Sequence, residues 1–207
     1  MPCECLDKHK ILLLYIFDNQ LTKSFNNRLV SQKNVMRTYG NGKPVGYAED
    51  MLCVEGIWRP NMTMGLLQFD SEETALRWRQ SDPQFRKSDW LDDHDLWVLP
   101  LHQELETYAC FELDMFKVPD PNQFENEFLP KWEEAIRKAG GTPGVVSTGT
   151  VKIWRGMHDV DHVFLSQWPT ELVASEWHRS DEAMQLKSHQ PPVANGCMTI
   201  ARMRMFC

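Results

Sequence analysis

Short apolar runs and one longer amphipathic segment alternate along the first hundred residues. The run at 11–17 is rich in β-branched and aromatic residues, which predicts a buried strand. Apolar residues then recur at about 100° per residue, which predicts a helix that ends before Gly40-Asn41-Gly42. Further strands are predicted at 45–58, 62–69 and 96–101, and short helices after Ser71 and after Asp82-Pro83. The predicted order is β-α-β-β-α-β.

The second hundred residues repeat this order. An opening strand at 108–116 precedes a helix that begins at Asp120-Pro121 and ends at Gly140-Gly141. The remaining predicted elements are strands at 145–154 and 162–168, a helix from Thr170 and a strand near 197–205. Helices on one face of an antiparallel sheet in this order form a ferredoxin-like unit. The sequence therefore predicts an α+β protein with two such repeats, at 8–103 and 105–207.

Recurring residues support an internal duplication of the sequence. Ile57-Trp58-Arg59 recurs as Ile153-Trp154-Arg155, 96 positions later, and Trp78 recurs as Trp177, 99 positions later. Gln68 and Gln167 are also 99 positions apart, so the second copy has gained about three residues between these points. A period near 100 residues exceeds the about 20–50 residues of solenoid units. Two fused copies of a small domain are the better interpretation.

Composition limits the classes of function. The 207 residues carry a formal net charge of −7 with no basic cluster, which disfavours nucleic-acid binding. The apolar run at 11–17 is too short to span a bilayer, and no secretion signal is recognisable. Apart from the close pair Cys3 and Cys5, the six cysteines show no metal or disulfide spacing, which favours reduced thiols in a cytoplasmic protein. No dinucleotide, phosphate-loop or nucleophile motif is present, so no cofactor is predicted.

One stretch resembles a known family. Val54-Glu55-Gly56-Ile57-Trp58, the segment 67–78 and Ser81-Asp82-Pro83-Gln84-Phe85 are similar to a small uncharacterised family of the dimeric α/β-barrel superfamily. That resemblance implies two ferredoxin-like units with their sheets paired into a barrel and a cavity between each sheet and its helices. One chain would supply both units, as a monomeric pseudo-dimer or as part of a homodimer.

Relatives in the superfamily suggest possible activities, and this chain departs from the family pattern at one position in each half. Its relatives include cofactorless oxygenases that act on aromatic polyketides, polyketide cyclases, lactone isomerases and haem-binding branches. The family pattern has an acidic residue where this chain has Gln68 and Gln167, which removes a possible general base from both halves. The resemblance therefore implies cavities rather than one reaction.

Several aromatic and basic residues are candidate ligand contacts. In Trp58-Arg59 and Trp154-Arg155, an indole can stack on a planar ligand while the guanidinium binds a carboxylate or enolate oxygen. The alternative is that these residues complete the core at strand ends. Trp78 and Trp177 have the helical spacing typical of core packing, and with Gln68 and Gln167 they complete the candidate ligand-binding set.

Two histidines are the candidate catalytic residues. His162 begins the strand that ends at Gln167, and His178 lies beside Trp177 on a helix, so either could reach a cavity as a proton acceptor. A metal site at His158 and His162 is disfavoured, because the intervening aspartates would lie on the other strand face. No metal is predicted.

Three functions remain open. The first is handling of an aromatic or polyketide-like small molecule, with a cofactor-independent isomerase, cyclase or monooxygenase as the candidate enzyme. The second is a non-catalytic binder of a hydrophobic ligand or pigment, favoured by eight tryptophans and eleven methionines. The third is a scaffold with solid cores. The turn after Arg155 is longer than its counterpart at Pro60-Asn61 and carries histidines, which favours the second repeat as the working half.

Overall fold

The computed structural model describes residues 10–81, 95–148, 151–156 and 159–206. Within them the chain forms nine strands and five helices of eight residues or more. The first hundred residues contain β1 Ile11–Asp18, α1 Thr22–Arg37, β2 Lys43–Gly56, β3 Met62–Phe69, α2 Glu72–Ser81 and β4 Asp95–Pro100. The remainder contains β5 Cys110–Lys117, α3 Leu129–Lys138, β6 Thr142–Thr148, β7 Lys152–Arg155, β8 His162–Trp168, α4 Glu171–His178, α5 Asp181–Ser188 and β9 Asn195–Met205.

Most predicted elements are confirmed, two differ, and the helix α5 was not predicted. The strand predicted at 145–154 is divided into β6 and β7. The helix predicted from Asp120 begins there, since the Asp120 carboxylate caps the Gln123 amide, but it passes through a π-helical turn at Phe124–Phe128 before α3. Pro130 explains this turn, because it has no N–H to donate to the preceding turn. The segment predicted after Asp82-Pro83 and the turn residue His158 lie outside the described residues.

All nine strands belong to one antiparallel sheet, in the order β6-β8-β5-β9-β2-β3-β1-β4-β7. The two halves meet where β2 pairs with β9, for example Leu52 with Ile200. β6 and β7 lie at opposite ends of the order but follow each other along the chain, so one segment joins both edges of the curled sheet. The antiparallel α+β architecture is thus confirmed, while the repeat boundaries at 8–103 and 105–207 stay a prediction.

Side-chain alternation along the strands separates the core into an inner and an outer layer. On β1, Leu12 and Leu14 face the barrel interior, whereas Leu13 and Tyr15 face the helices. We call the cluster of α1 and α2 on the outer sheet face the first helix layer, and the corresponding cluster of α3, α4 and α5 the second helix layer. Representative members are Phe25, Met36, Phe69 and Trp78 in the first, and Phe124, Trp132, Trp168 and Trp177 in the second.

Two further expectations can be compared with this fold. In the described part of the chain, no helix has both the length and the apolar character needed to cross a membrane. The cysteines described there, Cys53, Cys110 and Cys197, are free thiols.

Gln68 and Gln167 both lie on the inward side of the sheet but differ in their bonding. Gln167 is fully buried, and its Oε1 accepts from the Glu106 amide at 2.7 Å while its Nε2 donates to the carbonyls of Glu106 and Tyr108 at 3.1 and 3.3 Å. These bonds hold the connection between β4 and β5. Gln68 is also buried, yet its Oε1 has no partner among the described residues.

This contrast gives a stability prediction. Gln167→Leu leaves backbone groups of the β4–β5 connection without partners and should lower the free energy of unfolding by about 1–3 kcal/mol. Gln68→Leu removes an unpartnered oxygen from an apolar layer and should be neutral or stabilising. Urea denaturation of both variants tests the difference, and equal destabilisation by the two would contradict it.

Candidate functional site

Two acidic residues of β5 point into the second helix layer. Phe111, Leu113 and Met115 face the barrel interior, so the alternating Glu112 and Asp114 face the helices. Their exposed fractions are 0% and 1%. Buried carboxyl groups are costly unless hydrogen bonds or opposite charges compensate for the loss of water. Their partners therefore decide what this layer can do.

Glu112 is hydrogen-bonded through both oxygens. Its Oε2 accepts from the Trp168 indole at 2.6 Å, and its Oε1 lies 2.9 Å from Nε2 of His178. Thr170 caps α4 by accepting from the Val173 amide, which fixes where the helix begins and brings His178 at its last position over β5. A carboxylate oxygen accepts and an imidazole N–H donates, so the His178 tautomer that suits this bond carries its proton on Nε2. Nδ1 is then the nitrogen left to exchange a proton.

Asp114 differs from Glu112 in its surroundings. Burial and, next, the negative charge of Glu112 raise the pKa of Asp114 well above its ordinary value, and Lys187 opposes this only in part. Asp114 therefore holds its proton to a higher pH than an exposed aspartate does. Glu112, by contrast, has two donors facing it.

Three polar atoms of this layer are buried without a hydrogen-bond partner in the described residues. They are His178 Nδ1, Asp114 Oδ1 and Trp177 Nε1. The Trp177 and His178 rings are 4.7 Å apart in an edge-to-face arrangement. Buried polar atoms are partnered in the large majority of cases, so three exceptions in one layer indicate a place where water or a bound molecule supplies the missing contacts.

A pocket opens beside His178. It has a volume of about 280 Å³. One side is formed by the β2 residues Leu52, Cys53 and Val54, and the other by the helix residues Ser175 and Lys187 with Arg179, which follows α4. Lys187 Nζ lies 3.0 Å from Glu55 Oε2, whereas Arg179 makes no ion pair within the described part of the chain. The pocket thus has an apolar wall and a positive rim. Together with Glu112, Asp114, Trp168, Trp177 and His178 it forms the His178 site.

Of the residues predicted from sequence, His178 and Trp177 come together in this site, whereas His162 lies elsewhere. The His162 ring is buried, with Nδ1 2.8 Å from Asp161 Oδ1 and Nε2 3.0 Å from Glu125 Oε1. Burial alone would raise the pKa of Asp161, but hydrogen bonds from His162 and the Val118 amide outweigh burial and lower it. His162 therefore links β8 to the π-helical turn through Nε2, and through Nδ1 it bonds to the Asp161 carboxylate beside it.

The other predicted contacts are distributed over the molecule. Trp78 packs in the first helix layer, with its ring 5.4 Å from Phe69. Trp154 also packs there and donates to Glu72 Oε1 at 3.2 Å, and Arg155 is half-buried at the end of β7. Trp58 instead packs against the barrel interior, beside an exposed Arg59. Gln68 and Gln167 also line that interior.

The sequence prediction missed Glu112 and Asp114. The available signal was their spacing, since two acids alternate with apolar residues along a strand whose other residues are apolar as far as Phe116. Ile11 pairs with Phe69 as Cys110 pairs with Trp168, so Glu112 and Asp114 correspond in register to Leu13 and Tyr15. The acidic pair therefore belongs to the second half alone. In the described residues, no group of three or more His, Cys, Asp or Glu is placed to hold a metal ion.

Comparison with known proteins shows the fold. No protein-family model matches the sequence, and no curated protein matches it. An anthrone oxidase-like protein matches with a TM-score of 0.54 at 15% identity, over 97% of this chain and 94% of that one. A haem-binding protein from Thermus thermophilus matches with a TM-score of 0.52 at 10% identity, over 96% and 92%. A variant of chlorite dismutase from Candidatus Nitrospira defluvii matches with a TM-score of 0.53 at 8% identity, over 96% and 92%. The chain shares the antiparallel α+β-barrel fold of these proteins.

The raised pKa of Asp114 leads to a pH prediction. In the folded state Asp114 holds its proton to a higher pH than in the unfolded chain, where its pKa has the ordinary value of 3.8. The stabilisation is complete below that value and is lost as the pH rises towards the folded pKa. The Asp114→Asn variant cannot ionise at this position. The unfolding free energy of the variant minus that of the native protein should therefore increase with pH, by at most about 1.4 kcal/mol per pH unit.

Urea denaturation from about pH 4 to pH 8 measures this slope. Glu127→Gln is the matched control, because Glu127 is exposed on the π-helical turn. Parallel pH curves for Asp114→Asn and the native protein would show that Asp114 ionises in the folded state as it does in the unfolded chain.

Proposed function

We propose that the protein handles a small aromatic or polyketide-like molecule and acts on it as a cofactor-independent isomerase, cyclase or monooxygenase, with His178 as the proton acceptor. The observation that carries this proposal is the buried hydrogen bond between His178 Nε2 and Glu112, which leaves Nδ1 without a partner in the described residues. The oxygenase version has the further support that an anthrone oxidase-like protein shares the fold.

The pair supports general-base catalysis. With the Nε2 proton directed at Glu112, neutral His178 has its lone pair on Nδ1. When Nδ1 takes a proton, the adjacent carboxylate stabilises the imidazolium, as in any base that is oriented by an acid. Asp114 supports this role because its raised pKa favours the neutral carboxyl, which places no second negative charge beside Glu112. Trp168 holds the other Glu112 oxygen and fixes the carboxylate plane.

The pocket indicates the substrate class. Its volume of about 280 Å³ lies just below the about 300–1,000 Å³ of pockets for drug-sized ligands, so a compact molecule fits best. Leu52 and Val54 offer an apolar wall, and Arg179, which makes no ion pair in the described residues, favours an anion at the rim. A carbonyl compound with an acidic neighbouring C–H meets both conditions, because it becomes an enolate when it loses that proton.

Haem is the cofactor that the fold suggests, since a haem-binding protein shares it. The second helix layer is filled by aromatic side chains, with the rings of Trp132 and Trp177 4.6 Å apart and those of Trp168 and Trp177 5.3 Å apart. Nε2 of His178 is already hydrogen-bonded to Glu112. A macrocycle would have to displace several buried rings to reach this histidine, so the residues present do not fit haem.

The alternative is a non-catalytic binder or carrier of a hydrophobic ligand or pigment. It is favoured by the 2% exposure of the His178 side chain, because little of the imidazole is open to a ligand in the pocket. In either case we propose a cytoplasmic protein without nucleic-acid or membrane partners. We also propose a monomeric pseudo-dimer, in preference to a homodimer, because one chain supplies both edges of the sheet.

Oxidation of anthrone tests the proposal. Anthrone and O₂ give anthraquinone and water once a base has removed a proton from the methylene carbon, so O₂ uptake by dialysed, chelator-treated protein measures the reaction without added cofactor. His178→Gln should lower the rate about 100-fold or more, the usual size of a general-base contribution. Glu112→Gln should also lower it. The control His189→Gln changes an exposed histidine that directly follows α5 and should leave the rate unchanged.

Native mass spectrometry of protein from its own source separates the two functions. A retained small molecule that His178→Gln releases, without any anthrone oxidation, would favour the carrier. Absence of both turnover and a retained molecule would refute the proposal in both forms.

A further inference from the structure

A second cavity lies at one end of the barrel, on the other side of the sheet from the His178 site. Its volume is about 270 Å³. Ile16 at the end of β1 and Met115 at the end of β5 form part of its floor, and Met62 and Cys197 form part of its wall. Trp58 and Arg59 lie at its opening. We call it the barrel-mouth pocket.

Gly56 explains why Trp58 lies at this opening. β2 ends at Gly56, which has a φ of +77°, and a Cβ atom there would lie 2.1 Å from the carbonyl oxygen of Gly196. Only glycine is compatible with both conditions. The chain therefore leaves the sheet directly before Ile57-Trp58-Arg59. The Trp58 indole packs against the barrel interior, and its Nε1 donates to the Met62 carbonyl at 3.0 Å, which fixes the plane of the ring.

The second copy of the same three residues lies in a different structural environment. Ile153-Trp154-Arg155 lies within β7. The neighbouring glycine, Gly156, follows these three residues, whereas Gly56 precedes the first copy. Trp154 faces the first helix layer, where it donates to Glu72 and has the Arg79 guanidinium 5.6 Å from its ring centre. The second copy therefore packs between the two halves of the chain, whereas the first copy lines an open cavity.

Arg59 is available to a ligand. It is exposed, and its guanidinium makes no ion pair or hydrogen bond with any described residue. Ile57, beside it, is 88% exposed, which is unusual for a large apolar side chain. A positive group and an uncovered apolar group thus flank an apolar cavity.

We propose that the barrel-mouth pocket binds a monocarboxylate with a compact apolar body, which stacks on Trp58 while its carboxylate pairs with Arg59. A guanidinium binds a carboxylate through two parallel hydrogen bonds, and an indole offers a flat apolar surface. This site is independent of the proposed function at His178.

The other lining groups favour this ligand class. Arg59 is the only charged residue among those that line the cavity in the described part of the chain, so a single negative charge is matched better than a phosphate dianion. No acidic side chain among these described lining residues repels an anion there. Burial raises the pKa of Cys197 to about 12, so this thiol is also uncharged at neutral pH. The cavity volume has room for about one ring with a short chain.

Titration with 3-phenylpropionate tests the proposal, and 3-phenylpropionamide is the neutral counterpart. The indole N–H resonance of Trp58, identified by its loss in Trp58→Phe, should shift on addition of the acid. The acid should bind about tenfold or more tightly than the amide, and Arg59→Gln should remove that preference. Arg155→Gln, at the equivalent position of the second copy, is the matched control and should bind like the native protein.

His178→Gln separates this inference from the proposed function. It should leave binding of the acid and the Trp58 shift unchanged, even if it abolishes turnover. Binding that His178→Gln removes and Arg59→Gln preserves would place the anion in the second helix layer and overturn the inference. Equal binding of acid and amide, or no binding at millimolar concentration with unchanged thermal unfolding midpoints, would also overturn it.

Discussion

The pairing of β2 with β9 is the constraint on which the molecule depends. It is the contact through which the strands of the first hundred residues continue into those of the second, and with the β4–β7 pair it makes one sheet of nine strands. Because that sheet curls on itself, one face of every strand must be apolar enough to fill a closed interior. The helices described above are thereby restricted to the outer face, and each half obtains a separate layer between sheet and helices.

Within that common frame the two layers have different chemistry. The first is occupied at corresponding positions by Leu13 and Tyr15, and the second by Glu112 and Asp114. Buried carboxyl groups at these positions require hydrogen-bond donors. Trp168 from β8 and His178 from α4 supply them to Glu112. The unpartnered histidine nitrogen and carboxyl oxygen described above therefore lie in the second layer. A fold with two such layers can hold one as a solid support and use the other for binding.

The sequence predicted the elements better than the site. Periodicity and turn residues placed the strands 62–69 and 162–168 correctly, because alternating or continuous apolar runs reflect the local geometry of a strand. It did not predict the π-helical turn, which depends on Pro130 and on the contact between His162 and Glu125 across elements. Among the candidate residues, His178 and Trp177 do lie together. Glu112 was missed because its partners are 56 and 66 residues away along the chain, a relation that only the tertiary structure reveals.

The same strand pairing also bears on how the chain folds during synthesis. The first half has emerged by residue 100, yet the strand that covers the free edge of β2 does not begin until Asn195. Until then the inward faces of Leu12 and Leu14 have no opposing wall, and the backbone groups of β2 that later bond to β9 are unpaired. An uncovered edge beside an apolar face is the feature through which nascent chains associate. The sheet can therefore be completed only after β9, its last strand, has been synthesised.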